Sequence, residues 1–470
     1  MPGNVYKRQV TPSERYLAHS PYSIVAVVAR IKGNVSKDLL ANAVSKVQQR
    51  HTNLRVRIED DAEHRPWFTS EGAGELPIEV VPRTSADQWI QAYHEACRVP
   101  FEFDKRPAIR FILVQSAAES ELIIFCHHMI CDGLSLAYLA RDVMVHMGDP
   151  TREVEVLSDP VPIGLDNMPE ELSLNGIAKF FVNRINEKWQ AERVTFDQQD
   201  YEDLNHAYWA NYVHQMLPVE LTEAQTTALV NRCRAEKVTV NTALTAAFAG
   251  AQVMVQGDSP DQAQIGVGAS LRDRLPHPAG ETMGFYASAA TLRLKYDVRK
   301  GFWDNARKLH RKVQPRYTNK VLFQDALAWC YLDPSILEAI HFKRLGELVP
   351  AQLSSYKKLS AFARQDDTVL GVLKREKIDS LEQKSMGTAV TNLGRMDFAR
   401  QYGALELDRL IMNPGGAFPL VTVNLVLGAV TCSGKLSLLL EYAEQAVDTS
   451  TMEQVRDRAM ALLLDKWPTA

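Results

Sequence analysis

The feature that most constrains this chain is a strand that ends in two histidines and turns at once into a helix. The apolar run Leu122-Ile123-Ile124-Phe125-Cys126 has charge before it and His127-His128 after it. Met129-Ile130-Cys131-Asp132-Gly133 follows, and from Leu134 to His146 the pattern LSLAYLARDVMVH has helical spacing. A strand end beside a helix start is a rigid base from which side chains reach a cleft. By composition, an HHxxxDG string arises in roughly one such chain in a thousand.

The segments around this junction alternate in type. Tyr22 to Ile31 is β-branched and strand-like, Ser36 caps the helical stretch KDLLANAVSKVQQRH, and LRVRIED alternates like a half-buried strand. A helix over Asp87 to Val99 leads through PFEFDKRP into the strand AIRFILVQ. Between Gly148 and Glu171 four prolines and several acids mark a connection. Beyond it, Thr239 to Val255 predicts a buried helix, Gln264 to Leu271 and Phe285 to Tyr296 predict strands, and Val421 to Thr431 with Lys435 to Tyr442 predict a hairpin. A last helix runs from about Thr449 to Leu464. At 470 residues the chain exceeds one ordinary domain. The expected division is a first lobe over 1–160, a linker over 161–195 and a second lobe over 196–470.

Composition narrows the function classes. The chain is 46% hydrophobic and 23% charged, with 53 basic against 57 acidic side chains and a net charge of −4. That balance gives no support for a nucleic-acid partner or a polybasic membrane contact. No apolar stretch has the length of a membrane span, and the start MPGNVYKRQVTPSERYL has no signal-peptide core. A cytoplasmic, monomeric protein is the expectation. Six cysteines without a CxxC pair point to reduced, buried thiols rather than disulfides or structural zinc.

In the HHxxxDG string the two histidines cannot share one job, because neighbours on an extended chain face opposite ways. The one facing the cleft is placed to act as a general base, since imidazole titrates near neutrality. Spacing leaves Asp132 two roles, orienting that base or holding a cation. Gly133 is expected to supply backbone freedom for a sharp turn.

This segment resembles the signature of the chloramphenicol acetyltransferase-like superfamily, which includes the condensation domains of peptide synthetases. The resemblance extends through PSERYL, VSKVQQRHTNLRVRI, PFEFDKRPAIRFILV, SLRDRL, MGFY and TNLG, in family order. It implies an α/β fold of two acetyltransferase-like lobes, mixed sheets with flanking helices, set as a V around an interlobe tunnel. It implies that His128 deprotonates an acceptor alcohol or amine, which attacks a thioester directly without an acyl-enzyme. Asp132 would pair with an arginine of the other lobe, Arg272 or the nearby Arg274, with His127 and Gly133 in support. Thr391 and Asn392 are candidates for the oxyanion or substrate loop. No cofactor is expected to be bound; an acyl-CoA, or the acyl-phosphopantetheine of a carrier protein or polyketide synthase, would be the co-substrate. The late segment Met412-Asn413-Pro414-Gly415-Gly416 differs from the DFGWG of the plant enzymes. The best likeness is to stand-alone polyketide-associated O-acyltransferases. Amide formation by a stand-alone condensation enzyme and a non-catalytic recruitment member of the fold are the alternatives.

Other chemistry was weighed from the same residues. Cys126 and Cys131 flank the histidines, but Cys131 fills a variable motif position, so an acyl-cysteine is disfavoured. A metal site on His127, His128 and Asp132 lacks a further ligand cluster. GAVTCSGK misses the phosphate-loop spacing and reads as a hairpin turn. Arg98, Lys105, Arg106 and Arg110 read as a solvated face in preference to a carrier or CoA dock.

Overall fold

Two six-stranded mixed sheets organise the protein. The computed structural model describes residues 5–257, 264–366, 368–371, 387–415 and 423–464. The first sheet runs, edge to edge, through Gln401–Tyr402, Leu405–Asn413, Ile24–Lys32, Glu119–His127, Ile109–Gln115 and Ile78–Pro82. All its pairs are antiparallel except the last. Its two middle strands, IVAVVARIK and ESELIIFCH, are apolar on both faces, which suits strands covered on both sides. Helices Lys37–Arg50 and Gly133–Gly148 pack on each other, and the latter lies on Ile24–Lys32.

The second sheet runs through Ala287–Arg293, Gln264–Ser270, Gly387–Met396, Val423–Cys432, Lys435–Ala443 and His214–Glu220. Gly387–Met396 is parallel to both neighbours. Helix Val240–Gln256, capped by Thr239, is buried along most of its length beneath it, and Thr449–Leu463 packs alongside. GAVTCSGK does form a hairpin: Ser433 and Gly434 both have positive φ, 51° and 77°, the backbone a two-residue turn between twisted strands demands. Its first two expected residues, Val421 and Thr422, lie outside the described residues.

The chain is not divided between the sheets by a single cut. Gln401–Tyr402 and Leu405–Asn413, inside the range expected for the second lobe, complete the first sheet beside Ile24–Lys32. Without them that strand would present an unpaired edge. Tyr201, Tyr208, Phe342 and Phe362 likewise join the first core. The stretch expected to be linker contains helix Gly176–Glu192, which is mostly exposed and buries Trp189. No single helix among the described residues is long and apolar enough to cross a membrane.

Candidate active site

The strand Glu119–His127 leads into His128, which lines a cleft between the sheets. His127 ends the strand with no exposed surface. Its Nε2–H donates to the Ser20 carbonyl at 3.1 Å, its Nδ1 accepts from the Met129 amide at 3.3 Å, and Phe103 meets it edge-on at 5.0 Å. Burial pushes its pKa down to about 3, so it is a neutral, structural side chain.

His128 begins a short 3-10 turn, His128–Ile130, and is half-buried. Its Nδ1 lies 2.8 Å from the Cys131 carbonyl. A carbonyl only accepts, so Nδ1 carries the proton, and Nε2 is the basic nitrogen left for the cleft that His128 lines. Burial lowers the imidazole pKa from its usual value, against the opposing pull of the Cys131 carbonyl and the Asp132 charge. Phe285 of the second lobe stands edge-on to the ring at 5.0 Å.

The Asp132 carboxylate is taken up by Ser135, Arg272 and the Tyr286 amide. Asp132 is the N-cap of helix Gly133–Gly148, and its Oδ1 accepts from the Ser135 amide at 2.7 Å and the Ser135 hydroxyl at 2.9 Å. The same oxygen receives Arg272 Nη2 at 2.8 Å, while Oδ2 receives the Tyr286 amide at 3.2 Å. Arg272 goes on to donate from Nη1 to the Gly280 and Thr282 carbonyls, both at 2.9 Å. Arg274 turns instead to Asn319 at 3.1 Å, so the structure selects between the two rivals. Ser135, whose hydroxyl also receives Arg272 Nη2 at 2.7 Å, was missed by the sequence reading. The reciprocal capping spacing Asp132-x-x-Ser135 was the signal that marks it.

Gly133 requires a different explanation from the one its sequence suggests. Its φ is not positive. A Cβ there would stand 2.7 Å from Met412 Cε and 2.9 Å from Leu393 Cδ2, so the position is small because cleft walls crowd it.

Thr391 and Asn392 sit on strand Gly387–Met396, not in a loop, and the structure brings both to the cleft with His128. The register breaks between Asn392 and Arg395, and Gly394 has φ +79°. Asn392 Oδ1 accepts from the Gly394 amide at 2.8 Å, and its NH2 hydrogens have no partner among the described residues. The cleft, open to solvent, takes Leu134 from the first lobe and Gly268, Ser270 and Ser288 from the second.

The rival chemistries are not assembled. Cys131 is fully buried, its Sγ lies 3.4 Å from the His127 carbonyl, and burial raises its thiol pKa well above the usual value. Among the described residues no three His, Cys, Asp or Glu side chains gather as a metal site. Arg110 braces its own lobe, donating to the Ala96 and Val99 carbonyls at 3.0 and 2.9 Å, while Lys105 and Arg106 pair with Glu102.

Residues 9–149 match the family model described as Condensation domain. A trichothecene 15-O-acetyltransferase from Fusarium sporotrichioides superposes with a TM-score of 0.65 at 11% identity, over 99% of this chain and 96% of that one. The chain has the condensation-domain fold. Polyketide synthase associated protein 5 from Mycobacterium tuberculosis shares this condensation-domain fold, with a TM-score of 0.58 and 15% identity over 98% of this chain and 99% of that one. A nonribosomal peptide synthetase of Aspergillus flavus is 31% identical over 117 residues, which is 24% of this chain. The matched part is about 2% of that synthetase's length. In the condensation-domain fold of this chain, the two lobes meet where Asp132 and Arg272 join.

Proposed function

We propose that the protein is an acyltransferase that moves an acyl group from the thioester of acyl-CoA, or of an acyl-phosphopantetheine carrier protein, to an alcohol. The observation that carries this reading is the tautomer of His128: with Nδ1–H held by the Cys131 carbonyl, Nε2 offers its lone pair to the cleft. Burial keeps the ring neutral near pH 7, the state a base requires.

In this mechanism Nε2 takes the hydroxyl proton as the oxygen attacks the thioester carbonyl. The tetrahedral intermediate then collapses with cleavage of the C–S bond, and the imidazolium returns its proton to the departing thiolate. No enzyme nucleophile is needed, in keeping with the burial of Cys131. The Asn392 NH2 and the Thr391 hydroxyl, both at the cleft, are the donors we assign to the oxyanion. Ester formation is favoured by full-length likeness to an O-acetyltransferase. Amide formation is the second reading, favoured by the condensation-domain match over residues 9–149.

The test is thiol release from acyl-CoA and from an acyl-carrier protein, with panels of alcohols and amines, for the wild type and His128→Ala. Alcohol-dependent release that disappears in the variant is the expected result. Release with amines alone replaces the ester reading by the amide one. No acceptor-dependent release, or equal release by both proteins, removes the catalytic assignment and leaves recruitment.

A further inference from the structure

One side chain outside the HHxxxDG string touches both the histidine turn and the opposite lobe. Asn53 lies in the 3-10 turn Thr52–Arg55 and is 1% exposed. Its Nδ2 lies 3.1 Å from the Ile130 carbonyl, in the turn after His128, and 3.0 Å from the Met283 carbonyl, in the second lobe. Two carbonyls accept and cannot donate, so the amide must place its NH2 between them, one hydrogen to each.

The price of that arrangement is a buried Asn53 Oδ1 without a hydrogen-bond partner among the described residues. A buried amide with an orphaned acceptor is a poor choice for packing alone. What it contributes is the bridge. The Ile130–Cys131 peptide is thereby held at both ends, its carbonyl by Asn53 and its N–H by the His128 carbonyl at 3.4 Å. The next carbonyl along the chain, that of Cys131, receives His128 Nδ1–H.

On the second-lobe side, the Gly280–Tyr286 stretch is anchored beside Met283. Arg141 of helix Gly133–Gly148 grips Glu281 with two bonds of 2.6 Å, and the Gly284 amide meets Ser135 Oγ at 3.2 Å. Phe285, which stands against the His128 ring, belongs to the same stretch.

We infer that Asn53 is a positioning residue that couples the seating of the second lobe to the tautomer and aim of the His128 imidazole. The inference deepens the general-base reading of His128 and rests on it for its effect on turnover. Asn53 touches neither substrate nor the ring itself; it acts through the Ile130–Cys131 peptide.

The experiment combines 15N NMR of the His128 ring in the free enzyme with steady-state kinetics, for wild type, Asn53→Ala and Asn53→Asp. Asn53→Asp keeps the size of the side chain but has at most one hydrogen to give, so it serves where the alanine variant does not fold. The wild-type ring is expected to hold a single Nδ1–H tautomer, and the folded variants a mixture. Turnover should fall about 100-fold, the cost of misplacing a catalytic group by about 1 Å. KM for both substrates should stay within about twofold. A variant that melts earlier but keeps the wild-type ring signals and kcat overturns the inference, because a purely structural residue would behave so. The two readings fail separately. An active His128→Ala removes the base but leaves the ring tautomer to judge Asn53, and an inactive one beside an unchanged tautomer in the Asn53 variants removes Asn53 alone.

Discussion

Removing the carboxylate of Asp132 tests the joint between the lobes most directly. That group receives four donors, from Ser135 twice, Arg272 and Tyr286. Loss of a helix N-cap costs about 1 kcal/mol. Leaving Arg272 as an uncompensated buried charge costs about 3–5 kcal/mol, and this is the larger effect because both side chains are at most 5% exposed. Asp132→Ala should therefore destabilise by about 4 kcal/mol, a large share of the 5–15 kcal/mol of a typical domain. Asp132→Asn keeps a good cap and loses only the charge, so it should be milder by about 1 kcal/mol. The informative assay is a double-mutant cycle with Arg272→Met, followed by urea denaturation. The double variant strands no charge and should lose about 2 kcal/mol less than the sum of the single losses. Additive losses would refute the claim that the pair acts as one unit, as would an Asp132→Ala protein as stable as wild type.

Four further outcomes follow from the structure. Burial lowers the His128 pKa, so kcat/KM should be flat from pH 7 to 8 and fall only on the acid side of the ordinary imidazole value; an acid limb centred above about 6.5 contradicts the assignment. His127 and His341, with pKa values pushed down to about 3 and about 4 by burial, stay neutral in the fold but protonate in the unfolded chain below about 6.5, so stability should be complete above that pH and fall as pH drops toward 4, read as a declining urea midpoint. Gly133→Ala should cost about 1–3 kcal/mol by pushing its Cβ into Met412 and Leu393, and Cys131→Ala should keep acceptor-dependent thiol release, since its buried thiol faces the His127 carbonyl.

Much of the fold was legible because its inner strands carry little but β-branched and aliphatic residues. Ile24–Lys32, Ile109–Gln115 and Glu119–His127 fall close to their expected positions, as do the helices capped by Ser36 and Thr239. Leu405–Asn413 was not legible: LELDRLIMN carries three charges, and a register shift between Leu407 and Arg409 breaks its alternation. TNLG reads as a turn because Asn and Gly favour turns, whereas tertiary pairing draws it into a strand that ends in a bulge. In the site, spacing shows only that the two histidines face opposite ways; which of them faces the cleft comes from the family resemblance. Spacing could not choose between Arg272 and Arg274, because a partner 140 residues away is fixed by how the sheets meet. Asn53 escaped notice for the same reason.

The late strand Leu405–Asn413 has a consequence for how the polypeptide is made. Ile24–Lys32 is translated more than 370 residues before its neighbour Leu405–Asn413. During that interval a long apolar strand waits with an open side, the situation that invites pairing with a wrong chain. The first sheet therefore closes only after Leu405–Asn413 has been made. A fragment limited to residues 9–149 would keep that open edge, so the seating of His128 at the cleft depends on strand Leu405–Asn413 as well as on the segment that encodes the histidine.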